Sequence, residues 1–351
     1  MKKLTNALLL LAASAALPSM AGVGGYPVIL VHGFQPQNLA DKPTGSTVTQ
    51  NGANYWSEYW AARADVRIDW PSQERIAGKI ASDYMWPKLQ QMSRSGLCQN
   101  GCIVVTHSTG DLVTRYMLDN QALWLRNSGL APLNIVATFD FAGAGGGSEL
   151  ADLAVNVATG SGLVDLTVRA ALSLWLGEIP NANNVGVLND LRVNSARQLA
   201  PAPTTRVPRL RFIGSKSDFL NATSPFLPGN DDGVVAPHSS CGSAIVAGYD
   251  SCSSSIATDG KLTSQYGVSS LMPQHFPMLM SAVYSHAGTI ANQVQGDVTV
   301  VRNAATFLNN DSMRFNSYDE KRGWWIFSST YRVVSGSGSN SMSDLVYKAA
   351  N

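Results

Sequence analysis

Charge is scarce in this chain. Asp, Glu, Lys and Arg make up 14% of its 351 residues, against about 25% in an ordinary soluble domain. A surface this short of charge has to be built from Ser, Asn, Thr and Gly. The net charge is +1, and no basic cluster is dense enough to track a phosphate backbone. Nucleic acid is thereby excluded as a partner, and nothing pulls the chain strongly to anionic membranes. Histidine and cysteine are also few, at five and four. The Cys residues have no His at zinc-finger spacing, which weighs against a metal site. Past the N-terminus no stretch is long and apolar enough to span a bilayer, and no internal repeat is present.

What is present begins with an export signature. Lys2 and Lys3 precede a short apolar run, Leu8 to Leu17, and Ser19-Met20-Ala21 offers small residues for a signal peptidase. The run falls short of the ~20 residues of a membrane span. Residues 1–21 are therefore read as a signal peptide cleaved after Ala21, and the product as secreted or periplasmic. In that setting the four Cys are expected to pair locally, Cys98 with Cys102 and Cys241 with Cys252.

The whole sequence is 45% hydrophobic, enough for a full core in residues 22–351. Continuous apolar runs such as Tyr26–Phe34, Ile103–Thr106 and Leu133–Phe139 fit strands buried on both faces. Helical patterns alternate with them, over Tyr55–Arg63, Ile76–Ser93 and the segment after Ser108. Val66–Trp70 and Leu210–Gly214 are further strands, and Pro36–Asn54 reads as loop. This alternation predicts an α/β fold with a mostly parallel sheet flanked by helices. The Gly143–Gly147 run lacks a P-loop ending and reads as a flexible loop. Residues 150–205, rich in Leu and Val to Leu176, are read as a helical lid or cap insertion, the plain alternative being a core helix pair. Residues 298–351 form a C-terminal extension, as a hairpin or packed on the main sheet.

The chemistry centres on Thr106-His107-Ser108-Thr109-Gly110. A strand leads in and a helix leads out, the layout of a nucleophile elbow, with Thr106 where the first Gly of G-x-S-x-G is usual. A serine hydrolase further needs a base His, an orienting carboxylate and oxyanion donors. His32 precedes the elbow and suits an oxyanion loop, whose donors are the backbone N–H groups of Phe34 and Thr109. His107 belongs to the elbow, its side chain expected to point away from the Ser108 hydroxyl, and His238 follows the best acids too closely. His286 is favoured as base, with His275 its rival. The acid is Asp232, Asp231 or Asp218, with Asp140 less suited.

Several of these segments together resemble the bacterial family I true lipases of the α/β-hydrolase superfamily. They are Tyr26–Phe34, Thr106–Gly110 with Arg115-Tyr116, Gly147–Leu153, Asn230–Val235, and His286 with Asn292-Gln293. The resemblance spans most of residues 26–293. It implies an α/β-hydrolase fold with a lid and a catalytic set of Ser108, Asp232 and His286, because the family's acid directly precedes the Gly of its turn. It also implies a calcium site with an Asp soon after the base. Here that neighbourhood is Ala287-Gly288-Thr289, so no cofactor is expected, with Asp218 as the one remnant of such a site. The expected function is cleavage of lipid esters, in places at a lipid–water interface, with a dedicated folding helper left open. A phospholipase, acyltransferase, thioesterase or polyester hydrolase would use the same triad. A secreted binding protein on the same scaffold would use none of it.

Overall fold

The computed structural model describes residues 22–56, 59–161, 164–199 and 207–351. The expected signal peptide lies outside the described residues. Six strands run parallel: β1 (Val28–Val31), β2 (Val66–Ile68), β3 (Cys102–His107), β4 (Ile135–Phe141), β5 (Arg209–Lys216) and β6 (His275–Ser285). Their spatial order is β2-β1-β3-β4-β5-β6. Alternate residues of these strands feed two cores, one on each face. Ile29, Val31 and Val104 enter one, while Val28, Leu30, Ile103 and Val105 enter the other. Burial on both faces explains why the strands read as unbroken apolar runs. With its elbow between β3 and the next helix, this is an α/β-hydrolase fold.

The helices depart from expectation near the first strands. The Pro36–Asn54 segment, which reads as loop, holds α1 (Gln37–Asp41) and α2 (Gly45–Tyr55). Its Thr, Gln and Asn residues carry little helical signal, but α2 buries Val48 and Gly52, and packing overrides propensity. In place of the helix expected over Tyr55–Arg63, α2 ends at Tyr55 and, among the described residues, a short 3₁₀ turn, Ala61–Arg63, follows. Wide π-type turns over Ile76–Met85 lead into α3 (Trp86–Ser95). Pro87 stands at the junction, in the first turn of α3, where the π-type turns give way to α-helix.

Helix α4 (Gly110–Asn127) follows the elbow. The 150–205 region holds α5 (Glu149–Ala158), α6 (Leu166–Leu176), α7 (Leu188–Leu191) and α8 (Val193–Leu199). A short α9 (Pro237–Ser240) precedes Cys241. Cys98–Cys102 and Cys241–Cys252 are bonded, with Cα separations of 5.0 and 5.8 Å. No helix among the described residues is long and apolar enough to cross a membrane.

The C-terminal extension continues the main sheet. It adds β7 (Thr299–Val300), then a separate two-stranded pair, β8 (Ala304–Thr306) with β9 (Ser312–Arg314). The chain next forms β10 (Ser317–Arg322) and β11 (Ser329–Val334) and ends in α10 (Met342–Ala350). β7, β11 and β10 extend the sheet beyond β6 in that order, all by antiparallel pairing. Met342, Leu345 and Val346 of α10 close one core. The helix also reaches the site: Trp60 Nε1 donates to Ser343 Oγ at 3.0 Å, and Tyr59 Oη to Asp344 Oδ1 at 3.1 Å.

Candidate active site

Ser108 stands at the end of β3 with φ of 56°. This left-handed backbone is costly for a residue with a Cβ, and three backbone hydrogen bonds hold it. Ser108 N donates to Phe141 O at 3.1 Å, while Ser108 O accepts from Asp111 N at 3.1 Å and Ala144 N at 3.0 Å. The strained turn lifts the side chain to the sheet's C-terminal edge, above the start of α4.

Thr106, the residue in place of the usual Gly, is fully buried. Its hydroxyl donates to Asp140 Oδ1 at 2.7 Å, and Thr138 donates to Asp140 Oδ2 at 2.9 Å. Asp140 belongs to a buried ionic cluster beneath the elbow. Asp111 binds Arg209 at 2.5 Å and Arg211 at 2.8 Å. Burial alone would raise the Asp111 carboxyl, but Arg211 and Arg209 hold it well below the usual carboxylate range.

The Gly143–Gly147 run wraps this cluster and is buried, contrary to its reading as a flexible loop. Gly145 N donates to Asp111 Oδ2 at 2.6 Å. A Cβ on Gly145 would meet that oxygen at 2.5 Å, so the carboxylate can approach the backbone only where side chains are missing.

His286 and Asp232, the expected base and acid, meet as a buried pair. His286 Nδ1 lies 2.7 Å from Asp232 Oδ2. Asp232 Oδ1 accepts from Val234 N at 2.9 Å and Val235 N at 2.7 Å, and Asp232 O accepts from His286 N at 3.0 Å. A carboxylate held this way orients the imidazole with Nδ1–H inward and Nε2 free to act.

The rival residues bind other partners, although Asp218 lines the same cavity. Asp231 Oδ1 accepts from Gly233 N at 2.8 Å and Ser224 Oγ at 3.1 Å, which shapes the turn. Asp218 Oδ2 accepts from Ala287 N at 3.0 Å, so it pins the loop after His286. His275 Nδ1 donates to Pro273 O at 2.9 Å, and burial and the nearby Arg211 and Arg209 push its pKa well below the usual value. His238 lies between Glu149 (2.6 Å) and Arg197 (3.1 Å) and ties α5 to α8. Among the described residues no three His, Cys, Asp or Glu side chains are grouped as metal ligands.

His32 sets the loop opposite Ser108. Its Nδ1–H donates to Gly33 O at 2.8 Å and its Nε2 accepts from Trp70 N at 3.0 Å. The two bonds define one neutral tautomer, and burial pulls its pKa down to about 4. A trans peptide is planar, with C=O and N–H opposed. Fixing Gly33 O toward His32 therefore turns Phe34 N–H the other way. Gly33 also lies against Ser108, since a Cβ there would meet Ser108 Cβ at 2.6 Å.

Two residues join the site that the sequence does not reveal in this role. His107 Nε2–H donates to the carbonyl oxygen of His286 at 2.9 Å, and its Nδ1 accepts the Tyr55 hydroxyl hydrogen. Tyr55 Oη also lies against Gly33, where an added Cβ would collide with it. The His107 ring does not turn out of the site but lines the cavity beside Ser108. Burial, then the nearby His286, keep its pKa well below the usual value.

Ser108, Thr109, Phe34 and His286 line one cavity of about 650 Å³. Tyr55, Trp56, Tyr59 and Trp60 form one wall, a cluster visible in the sequence only as aromatic richness. Trp175 of α6 and Leu191 of α7 line it as well, and Trp175 packs on Phe34 with ring centroids 5.6 Å apart. No Lys or Arg is among the lining residues.

No protein-family model matches the chain, and no curated protein matches it in sequence. Solved structures of related shape include the Bacillus licheniformis lipase BlEst2, 17% identical over 61% of this chain and 78% of that one, with a TM-score of 0.37. Phospholipase PlaB from Legionella pneumophila is 17% identical over 61% of this chain and 45% of its own, also at 0.37. The Staphylococcus hyicus lipase is 12% identical over 76% and 88%, at 0.41. The chain thus spans under half the length of the phospholipase. Likeness this remote says nothing of reaction or substrate.

Proposed function

We propose that the protein is an exported serine carboxylic-ester hydrolase acting on lipid esters. The observation that carries this reading is the His286–Asp232 pair at 2.7 Å, set in the same cavity as a strained, elbow-borne Ser108. Ser108 Oγ attacks the ester carbonyl carbon. His286 Nε2 takes the Ser108 proton and then delivers it to the leaving alkoxide, releasing the alcohol. Asp232 holds the imidazole and balances its transient charge. The N–H groups of Phe34 and Thr109 bind the oxyanion in a water-poor site, where such donors count most. Water, deprotonated by His286, releases the acid from the acyl-enzyme. In this reading no metal takes part.

The lipid preference rests on the cavity wall. Phe34, Trp56, Trp60, Trp175, Val234 and Val235 line it without a cationic side chain, which suits an acyl chain. Trp175 of α6, in the cavity wall and against Phe34, supports reading the 150–205 region as a cap. Hydrolysis of p-nitrophenyl esters of rising chain length is the test. Wild type should favour medium or long chains, and Ser108→Ala should lose activity at every length while keeping its melting temperature. Undiminished Ser108→Ala activity would sink the proposal.

A further inference from the structure

The end of the molecule opposite the cavity carries a feature that ester cleavage does not use. β10 and β11 pair continuously from Ser317 with Val334 to Arg322 with Ser329. Their turn presents Trp324, Trp325, Ile326 and Phe327 in succession, each 79–87% exposed. Single exposed apolar residues are ordinary, whereas a contiguous group marks a surface that meets something.

The tip is held in shape. Phe327 N donates to Trp324 O at 3.1 Å and Ser328 N to Trp325 O at 3.2 Å. Behind it, Arg322 pairs with Glu320 at 2.6 Å and Arg332 with Asp319 at 2.8 Å.

We propose that this tip is a peg that inserts into the headgroup layer of a lipid bilayer. Four residues are far fewer than the roughly 20–30 a side that a standard protein interface uses. A fluid lipid surface sets no such minimum. An indole has an apolar body and one N–H, and it settles at the headgroup level for that reason. The charges fit as well. From Lys321 to Arg332 the sequence holds Lys321, Arg322 and Arg332 and no carboxylate, so nothing in the tip repels lipid phosphates.

The sheet fixes the direction of the peg. Val333 lies beside Thr299, and Thr299 beside Met280. β11 runs parallel to β6, so Ser329 is level with the start of β6. Ten residues of strand, about 30 Å, separate that level from His286. A protein held by this peg keeps its cavity mouth turned away from the bilayer, toward dispersed substrate.

The peg does not depend on the ester-hydrolase reading, and its test reads binding. The full chain is sedimented with phosphatidylcholine vesicles beside a W324S/W325S/I326S/F327S variant. The wild type should co-sediment, and the variant's bound fraction should fall at least tenfold with its melting temperature unchanged. A second variant, Trp324→Ser alone, should fall between them. Wild type left in the supernatant, or a variant that sediments equally, overturns the proposal. So does a wild-type dimer on size exclusion that the variant abolishes, because the tip would then belong to a second copy.

Discussion

His107 Nε2 lies 2.9 Å from the carbonyl oxygen of His286, so the residue before Ser108 holds the backbone of the residue proposed as base. The same ring accepts the Tyr55 hydroxyl hydrogen, and that hydroxyl lies against Gly33. Tyr55, the elbow and the loop after His286 are thus joined by two hydrogen bonds through the His107 ring, with Gly33 packed against the Tyr55 hydroxyl. This makes His107 and Tyr55 positioning residues. Tyr55→Phe removes one hydroxyl and should lower kcat about tenfold with KM unchanged, since small misplacements of catalytic groups are costly. His107→Leu should lower kcat further. His107→Gln, whose amide can still donate toward His286 O, should recover part of it. Equal losses in the Leu and Gln variants, tracking melting temperature, would reduce the role to packing.

Thr106 departs from the common elbow sequence, and the buried Asp140 accounts for it. Thr106→Val keeps the shape and removes the hydroxyl hydrogen bond to a buried carboxylate. It should cost about 1–3 kcal/mol, seen as a lower melting temperature with kcat nearly retained. Thr106→Gly, although closer to the usual motif, should destabilise too, because Asp140 loses the same donor. A Thr106→Gly variant as stable as wild type would contradict this account.

Parts of the site are legible in the sequence because they rest on local chemistry. The strand–Ser–helix transition, the Asp232-Gly233 turn and His286 after an apolar strand each show within a few residues, and their order reflects the fold. What stays hidden depends on partners far apart. Tyr55 and His107 meet across 52 residues. The Gly143–Gly147 run looks flexible until Asp111, 34 residues before Gly145, fills the space. The tail strands are short and lie at the sheet's edge. Their pairing is set by β6 and the hairpin more than by any pattern of their own. The aromatic wall is visible as composition, but its place in the cavity comes from α10, which braces Tyr59 and Trp60.

Asp232 and Asp218 both approach the His286 loop, by different atoms. Asp232 meets the imidazole, whereas Asp218 meets only Ala287 N–H. Asp232→Asn should therefore lower kcat by about 10³–10⁴, the scale seen when a triad acid is neutralised. Asp218→Asn keeps an oxygen able to accept Ala287 N–H and should stay within severalfold of wild type. Steady-state kinetics on one soluble ester separates the two. A large loss for Asp218→Asn with little for Asp232→Asn would reverse the assignment.

Three buried histidines give stability a defined pH dependence. Burial is the main cause in each case. It pulls His32 down to about 4, and with His286 nearby it lowers His107. With Arg211 and Arg209 nearby it lowers His275. In the unfolded chain each ring takes a proton near pH 6.5, while in the folded protein each stays neutral. Below pH 6.5 the unfolded state thus binds more protons, and stability falls as pH falls. The slope approaches about 1.4 kcal/mol per pH unit for each group, or about 4 kcal/mol for the three together. Above pH 7.5 these rings contribute no slope. The carboxylate Asp111, held low by its arginines, adds to the loss only below about pH 4. Urea midpoints measured from pH 8 to pH 5 should be flat at first and then drop steeply. His32→Gln, which cannot titrate, should remove about a third of the slope below pH 6.5. Midpoints that stay level down to pH 5 would mean that these rings take up protons in the folded protein.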